Sequence, residues 1–162
     1  MKKHDMQQLL KLGNGAHALA LQMLGNTDDA TDVVQDAMVK TLGKRGGYNA
    51  AIGPLAPWFL RVVRNGCIDL IRRRRPHVAD IDALSAPGPG PQELLELSQR
   101  DRELHSALAR LTAWQRQVIV LRDYMDLSYA EIADVLDVPQ GTVMSKLHRA
   151  RLALRKELTI DD

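Results

Sequence analysis

A single cysteine, Cys67, stands in the 162 residues, so no disulfide can form within the chain. The five histidines, His4, His17, His77, His105 and His148, never fall at the paired spacings of metal ligands, which excludes a zinc-finger framework. No apolar run approaches the ~20 residues that span a bilayer, so membrane insertion is not expected. The opening Met1-Lys2-Lys3-His4-Asp5 leads into a segment interrupted by Lys11, Gly13, Asn14 and His17. That segment lacks the apolar core and cleavage signal of a secretory leader, which points to the cytoplasm. Motifs for bond-making chemistry are missing as well. Gly43-Lys44-Arg45-Gly46-Gly47 lacks phosphate-loop spacing, no Ser/His/Asp pattern occurs, and Asp28, Asp29 and Asp32 read as helix-start acids rather than a metal site. Neither an enzyme nor a cofactor is expected.

What is present is a globular composition, 45% hydrophobic and 26% charged, in a chain long enough for one ordinary domain or two small ones. Net charge is only +2, but the charge is strongly segregated. Residues 44–78 carry eight basic side chains against one acid, Asp69; residues 79–104 carry two against six; residues 105–162 balance eight against eight. Within that last part, Lys146, Arg149, Arg151, Arg155 and Lys156 follow one another with no acid between them. Two basic surfaces separated by an acidic middle are the footprint expected for nucleic acid, with a pair of solvated helix faces as the plainer alternative.

The acidic middle contains Ser85-Ala86-Pro87-Gly88-Pro89-Gly90-Pro91, and alternating Pro and Gly sustains neither a helix nor a strand ladder. The sequence therefore divides into lobes 1–76 and 93–162 with a flexible linker at 77–92. Fully extended at ~3.3 Å per residue, the linker reaches roughly 50 Å, enough to place the lobes on distant sites.

Both lobes read as helical, giving an all-α fold. After Thr27, taken as an N-cap, apolar residues at Ala30, Val33, Val34, Ala37, Met38 and Leu42 form one helix face. The opposite face shows Asp29, Asp32, Asp36 and Lys40, the last two spaced for an i,i+4 pair. Gly43, Gly46 and Gly47 end this helix, and Tyr48 to Pro57 reads as a loop. The helical pattern resumes at Trp58 and runs through Phe59, Val62, Val63, Cys67, Leu70 and Ile71 to Pro76. Cys67 lies in the apolar stripe, as a structural thiol rather than a nucleophile. In the second lobe a Leu-rich helix spans Leu94 to Leu111. Thr112-Ala113-Trp114-Gln115 is a capping box opening a helix that turns Trp114, Val118, Leu121 and Met125 inward.

A second box, Ser128-Tyr129-Ala130-Glu131, starts a short helix at about 129–136, and Asp137-Val138-Pro139-Gln140-Gly141 turns into a last helix at about 142–157. This is the layout of a helix-turn-helix. Val143, Leu147, Ala150 and Leu154 would bury, leaving Thr142, Ser145, Lys146 and Arg149 outward. A short, polar, cationic face near a helix N-terminus suits a major groove, where Lys or Arg meets guanine acceptors or phosphates. An ordinary surface helix remains the alternative at this point.

These residues also carry a resemblance. Leu121-Arg122, Leu127-Ser128-Tyr129-Ala130-Glu131-Ile132-Ala133 and Pro139-Gln140-Gly141-Thr142-Val143-Met144-Ser145-Lys146-Leu147-His148-Arg149-Ala150-Arg151 resemble the domain that reads the minus-thirty-five promoter element in bacterial RNA polymerase sigma factors of the extracytoplasmic-function (ECF) group. Asp32-Val33-Val34-Gln35-Asp36-Ala37 and Trp58-Phe59-Leu60-Arg61-Val62-Val63-Arg64-Asn65, followed by Asp69 and Arg72, are similar to that family's domain for gripping the polymerase core and opening the minus-ten element. Departures fall at Thr112-Ala113, where the family often has Pro, at Met144, where a basic residue is frequent, and at Lys146, where Arg is. The N-terminus is short, which implies an abbreviated first helix.

The resemblance implies a promoter-specificity subunit whose partners are the polymerase core, promoter DNA and, as for many relatives, an anti-sigma protein. It assigns Asp29, Asp32, Gln35 and Asp36 to the polymerase core. Tyr48, Asn49, Arg61, Arg64, Asn65, Arg72 and Arg73 fall to the minus-ten element, and Gln140, Thr142, Ser145, Lys146 and Arg149 to the minus-thirty-five element. Opening DNA needs a surface that captures unstacked bases and cations that hold the backbone. Trp58 and Phe59, hydrophobic neighbours at helical spacing, read instead as core. The acidic linker with Asp80 and Asp82 would run through a positively charged polymerase channel or serve as an inert tether. A helix-turn-helix regulator that binds duplex DNA without engaging polymerase is the rival reading.

Overall fold

A computed structural model describes residues 2–84 and 95–160, the side chain of Ile160 excepted. Among the described residues there are seven α-helices and no strand. The first lobe is three helices: α1 (Lys3–Leu24), α2 (Thr27–Leu42) and α3 (Leu55–Arg74). The expected short first helix is in fact the longest of the seven, at 22 residues. It stops at Gly25, whose left-handed φ of 70° lets its N–H reach back to the Leu21 carbonyl.

Asn26, not Thr27, caps α2: its side chain accepts the Asp29 N–H at 2.9 Å, and Thr27 is already helical. The third helix begins at Leu55, three residues earlier than the loop-forming prolines suggest. Pro54 stands just before it and Pro57 lies in its first turn, where no intrahelical N–H is needed. Small side chains at Ala16, Ala20, Ala30 and Ala37 let these helices approach closely around Leu9, Leu19, Phe59, Leu60, Val63 and Cys67, which are at most 1% exposed. Trp58 is half-buried against this core.

The second lobe contains α4 (Gln99–Ala109), α5 (Ala113–Ile119), α6 (Tyr129–Leu136) and α7 (Gln140–Ile160). The fourth helix starts where the Ser98 side chain accepts the Asp101 N–H, so it is shorter than the Leu pattern suggests; Leu94 lies outside the described residues. The fifth carries the expected Thr112/Gln115 capping box and then widens into a π-helical turn, Val120–Tyr124. The last helix begins at Gln140, two residues before the expected start, with the Thr142 N–H on the Pro139 carbonyl at 3.0 Å.

The two lobes do not stand apart. Buried side chains from both form one continuous cluster, with α1 packed on α5 and α3 on α6. Gly15 in α1 is buried directly against the Met125 thioether, and any side chain there would collide with it. At the start of the linker, Ile81–Ala83 makes a 3₁₀ turn, capped by Asp80, and the Leu84 carbonyl after it accepts the Ala113 N–H at 3.0 Å. Residues 85–94, which hold the Pro/Gly repeat, lie outside the described residues.

Cys67 is fully buried, and burial pushes its thiol up to about 12. The native protein should therefore resist a disulfide reagent at pH 8 and react promptly once denatured. Rapid reaction of the native chain would contradict this packing.

Candidate nucleic-acid interface

The helix-turn-helix is built by local chemistry. Ser128 and Glu131 cap α6 reciprocally, with the Glu131 N–H on Ser128 Oγ at 3.1 Å and the Ser128 N–H on Glu131 Oε1 at 3.0 Å. Asp137 takes a left-handed conformation with φ 55°, and the Val138 N–H returns to the Ala133 carbonyl at 3.1 Å. The chain reverses there and enters α7. Val143, Leu147 and Ala150 are buried, Leu154 packs partly against the same core, and Gln140, Ser145 and Arg149 are exposed. Thr142 is half-buried, its carbonyl taking the Ser145 hydroxyl at 3.1 Å. Lys146 is also half-buried, with Nζ 5.6 Å from the Trp114 ring centre. Arg151, counted with the basic run, is engaged by Asp123, Nε donating to Oδ2 at 3.2 Å.

The first lobe places its cations on α3. Arg61, Asn65 and Arg72 are exposed and line a cavity of about 520 Å³, together with Arg64, Asp80, Asp82, Trp114 and Val135 to Val138. Arg61 does not stand free: its Nε and Nη2 donate to the Asp134 carbonyl at 2.9 and 2.6 Å, at the C-terminal, negative end of α6. Arg64 departs from expectation. Only 9% exposed, it faces the second lobe rather than solvent. Its Nε donates to Gln117 Oε1 at 2.8 Å, and its Nη2 sits 3.1 and 3.3 Å from the two Asp82 oxygens. Gln117 Nε2 completes the triangle by donating to Asp82 Oδ1 at 3.3 Å. The physical reason is the helix period: Arg64 follows Leu60 and Val63 on the inward side of α3, and a guanidinium there needs acceptors.

Arg73 lies away from this group, in a groove with Asp36, Lys40 and Asp69 between α2 and α3. Asp36 and Lys40 are exposed, and no ion pair joins them among the described residues. Tyr48 leans edge-on against Trp58, ring centres 5.6 Å apart, and its hydroxyl donates to the Gly53 carbonyl at 2.8 Å. Asn49 is exposed, its side chain accepting the Ala51 N–H at 3.0 Å. The loop is thus shaped by its own residues. On α2, Asp32, Gln35 and Asp36 are exposed, whereas Asp29 is tied to α3. Arg74 donates to it at 2.5 and 3.1 Å, and these hydrogen bonds hold the carboxyl below its ordinary range.

Three residues at the meeting of the lobes were not singled out from sequence: Gln117, Arg116 and, as more than a linker acid, Asp82. Arg116 is 1% exposed and donates to the carbonyls of Leu111, of Gln22 at 3.1 Å and of Leu84 at 3.3 Å. Burial lowers its pKa to about 10. The usable signal was Arg116-Gln117 set into an apolar helix between Trp114 and Val118, since polar groups there must find partners.

Against this geometry, two sequence families match in order: sigma-70 region 2 over residues 10–77 and sigma-70 region 4 over residues 94–154. The chain is 30% identical over 154 residues to the ECF RNA polymerase sigma factor SigW of Bacillus subtilis (strain 168), covering 88% of this chain and 82% of that protein. The chain belongs to the sigma-70 family, in its ECF group. Identity to the ECF RNA polymerase sigma factor SigE of Mycolicibacterium smegmatis is 33% over 147 residues, but the alignment covers only 56% of that longer relative. Among solved structures, the sigma factor RpoE of Bartonella quintana, in complex with the anti-sigma factor NepR, matches with a TM-score of 0.75 at 28% identity. That match covers 99% of this chain and 100% of the other. The all-α, two-lobed reading holds, and no helix among the described residues is long and apolar enough to cross a membrane.

The lobe-to-lobe contact of this sigma factor gives a stability test. In a double-mutant cycle of Arg64→Met and Asp82→Asn, denaturant unfolding should report a coupling of about 1–2 kcal/mol. Independent, additive effects would contradict the contact.

Proposed function

We propose that this sigma factor brings polymerase to promoters through three separate faces, and that it performs no bond-making chemistry of its own. The exposed side of α2, with Asp32, Gln35 and Asp36, docks on the polymerase core, while Asp29 is held by Arg74 and orients the start of that helix. The outer side of α7 enters the major groove of the minus-thirty-five element. There Lys146 and Arg149 meet guanine edges or phosphates, and Gln140, Thr142 and Ser145 complete the polar contacts. The cations of α3 hold the backbone of the opened minus-ten strand beside the Tyr48–Gly53 loop, the arrangement that single-strand binding uses. Arg61, Arg64, Asn65, Arg72 and Arg73 share that task, with Tyr48 and Asn49 on the loop.

The observation that carries this reading is the ordered pair of sigma regions, each on its own helical lobe. The chain acts where polymerase and DNA are, in the cytoplasm. Its resemblance to a sigma factor solved with an anti-sigma factor extends the proposal to an anti-sigma partner.

The test is reconstitution with sigma-free core polymerase and a genomic DNA pool. The complex should select and open fragments sharing a two-element sequence; duplex binding without polymerase association would favour a plain regulator. Lys146→Ala with Arg149→Ala should weaken promoter binding at least ~10-fold, at about 1–3 kcal/mol per lost contact, and leave core association intact. Asp32→Arg with Asp36→Arg should do the reverse. Normal core binding by a folded α2 variant would refute that assignment.

A further inference from the structure

The cations of α7 are held in different ways. Arg151 is engaged by the Asp123 carboxylate, which neutralises its charge, whereas Arg149 is exposed. Lys146 has an aromatic partner instead: its Nζ stands over the Trp114 ring, 5.6 Å from the ring centre. Acids are close by, since Asp80 and Asp82 line a smaller cavity, of about 340 Å³, with Thr112, Trp114 and Lys146. Even so, no ion pair takes Lys146 among the described residues. The indole is itself supported. Trp114 follows the Thr112/Gln115 capping box, is half-buried, and packs against the core of its own lobe. Both residues belong to the second lobe, where α5 packs on α7, so the contact does not depend on the first lobe.

We propose that Trp114 is a positioning residue for promoter recognition: its ring holds the Lys146 ammonium in place on α7 to meet an acceptor of the minus-thirty-five element, a guanine edge or a phosphate. The inference rests on the preceding assignment of the outer side of α7 to that element. An arginine carries direction in its planar fork, whereas a lysine is a point charge on a flexible stem and must be given a direction by its surroundings. Lys146 stands where the family has Arg, and Trp114 follows Thr112-Ala113, where the family has Pro, so two departures of this sequence meet at one contact. A ring face attracts a cation without cancelling its charge, unlike the carboxylate that holds Arg151. Lys146 is therefore ordered before DNA arrives, loses less rotamer freedom on binding, and keeps its full charge for DNA.

The experiment is a double-mutant cycle on promoter affinity, measured at fixed salt with reconstituted polymerase and a duplex from the selected genomic pool. Trp114→Leu should weaken binding roughly threefold or more in the parent, and by less than about 1.5-fold in a Lys146→Met background. Trp114→Phe, which keeps a ring face, should restore most of the loss. Core association should be unchanged in every variant, and circular dichroism checks that each is folded; Trp114→Gln replaces W114L in the cycle if W114L unfolds. Repeating the genomic selection with W114L identifies the acceptor: preference lost at one minus-thirty-five position marks a base edge, and uniform weakening marks a phosphate. Equal losses from W114L in both backgrounds, or no recovery in W114F, would overturn the inference. If K146M weakens promoter binding while W114L does not, the role of Trp114 alone falls; if K146M binds promoters normally, the assignment of Lys146 to DNA falls and the inference with it.

Discussion

A guanidinium buried between two helical lobes must be surrounded by oxygen, because a charge taken out of water without acceptors costs several kcal/mol. Arg64 and Arg116 impose that demand where α3, α1 and α5 come together, and the neighbouring structure is arranged to meet it. Arg116 collects three backbone carbonyls from three segments: the end of α1, the linker at Leu84, and Leu111 just before α5. Arg64 collects the Asp82 carboxylate and the Gln117 amide. Oxygens from α1, the start of the linker, the segment before α5 and α5 itself meet at the two arginines, so satisfying them fixes the start of the linker and joins the two lobes. Gly15 against Met125 supplies the apolar counterpart, the thioether lying where a Gly15 Cβ would stand.

That closure shapes what a sigma factor of this build does before it meets polymerase. Promoter elements lie far apart along DNA, and the faces assigned to them lie on lobes that share a core in this structure. Asp32 and Asp36 on α2, the carboxylates proposed to meet polymerase, are exposed, so on that proposal docking would not wait for opening. Arg61 and Arg64 on α3 are the cations that closure engages.

Much of the fold was legible because it is set locally. Capping boxes at Thr112 and Ser128, the apolar period of α2 and the turn at Val138-Pro139 are signals read within four or five residues, and each lies where the sequence places it. Boundaries set by competition between neighbours were not: Asn26 displaces Thr27 as a cap, and Pro57 sits inside a helix turn rather than before it. The charged face of α3 was legible as a set of cations but not as an arrangement. Whether Arg64 points to DNA or to the other lobe depends on Gln117, 53 residues away, and on Asp82. The family resemblance identifies both domains from their motifs, yet it does not say how they sit together, because the partners that Arg61 and Arg64 find, Asp134, Gln117 and Asp82, lie outside the motifs.

The most direct measurement is the distance between the lobes, free and bound. Spin labels at Lys11→Cys on α1 and Arg155→Cys on α7 occupy exposed positions, and buried Cys67 stays unlabelled. Pulsed dipolar spectroscopy of the free chain should give one short, narrow distance. Addition of core polymerase and promoter DNA should replace it with a distance longer by tens of ångströms, given the roughly 85 Å between elements. A distribution unchanged in the promoter complex would contradict the account.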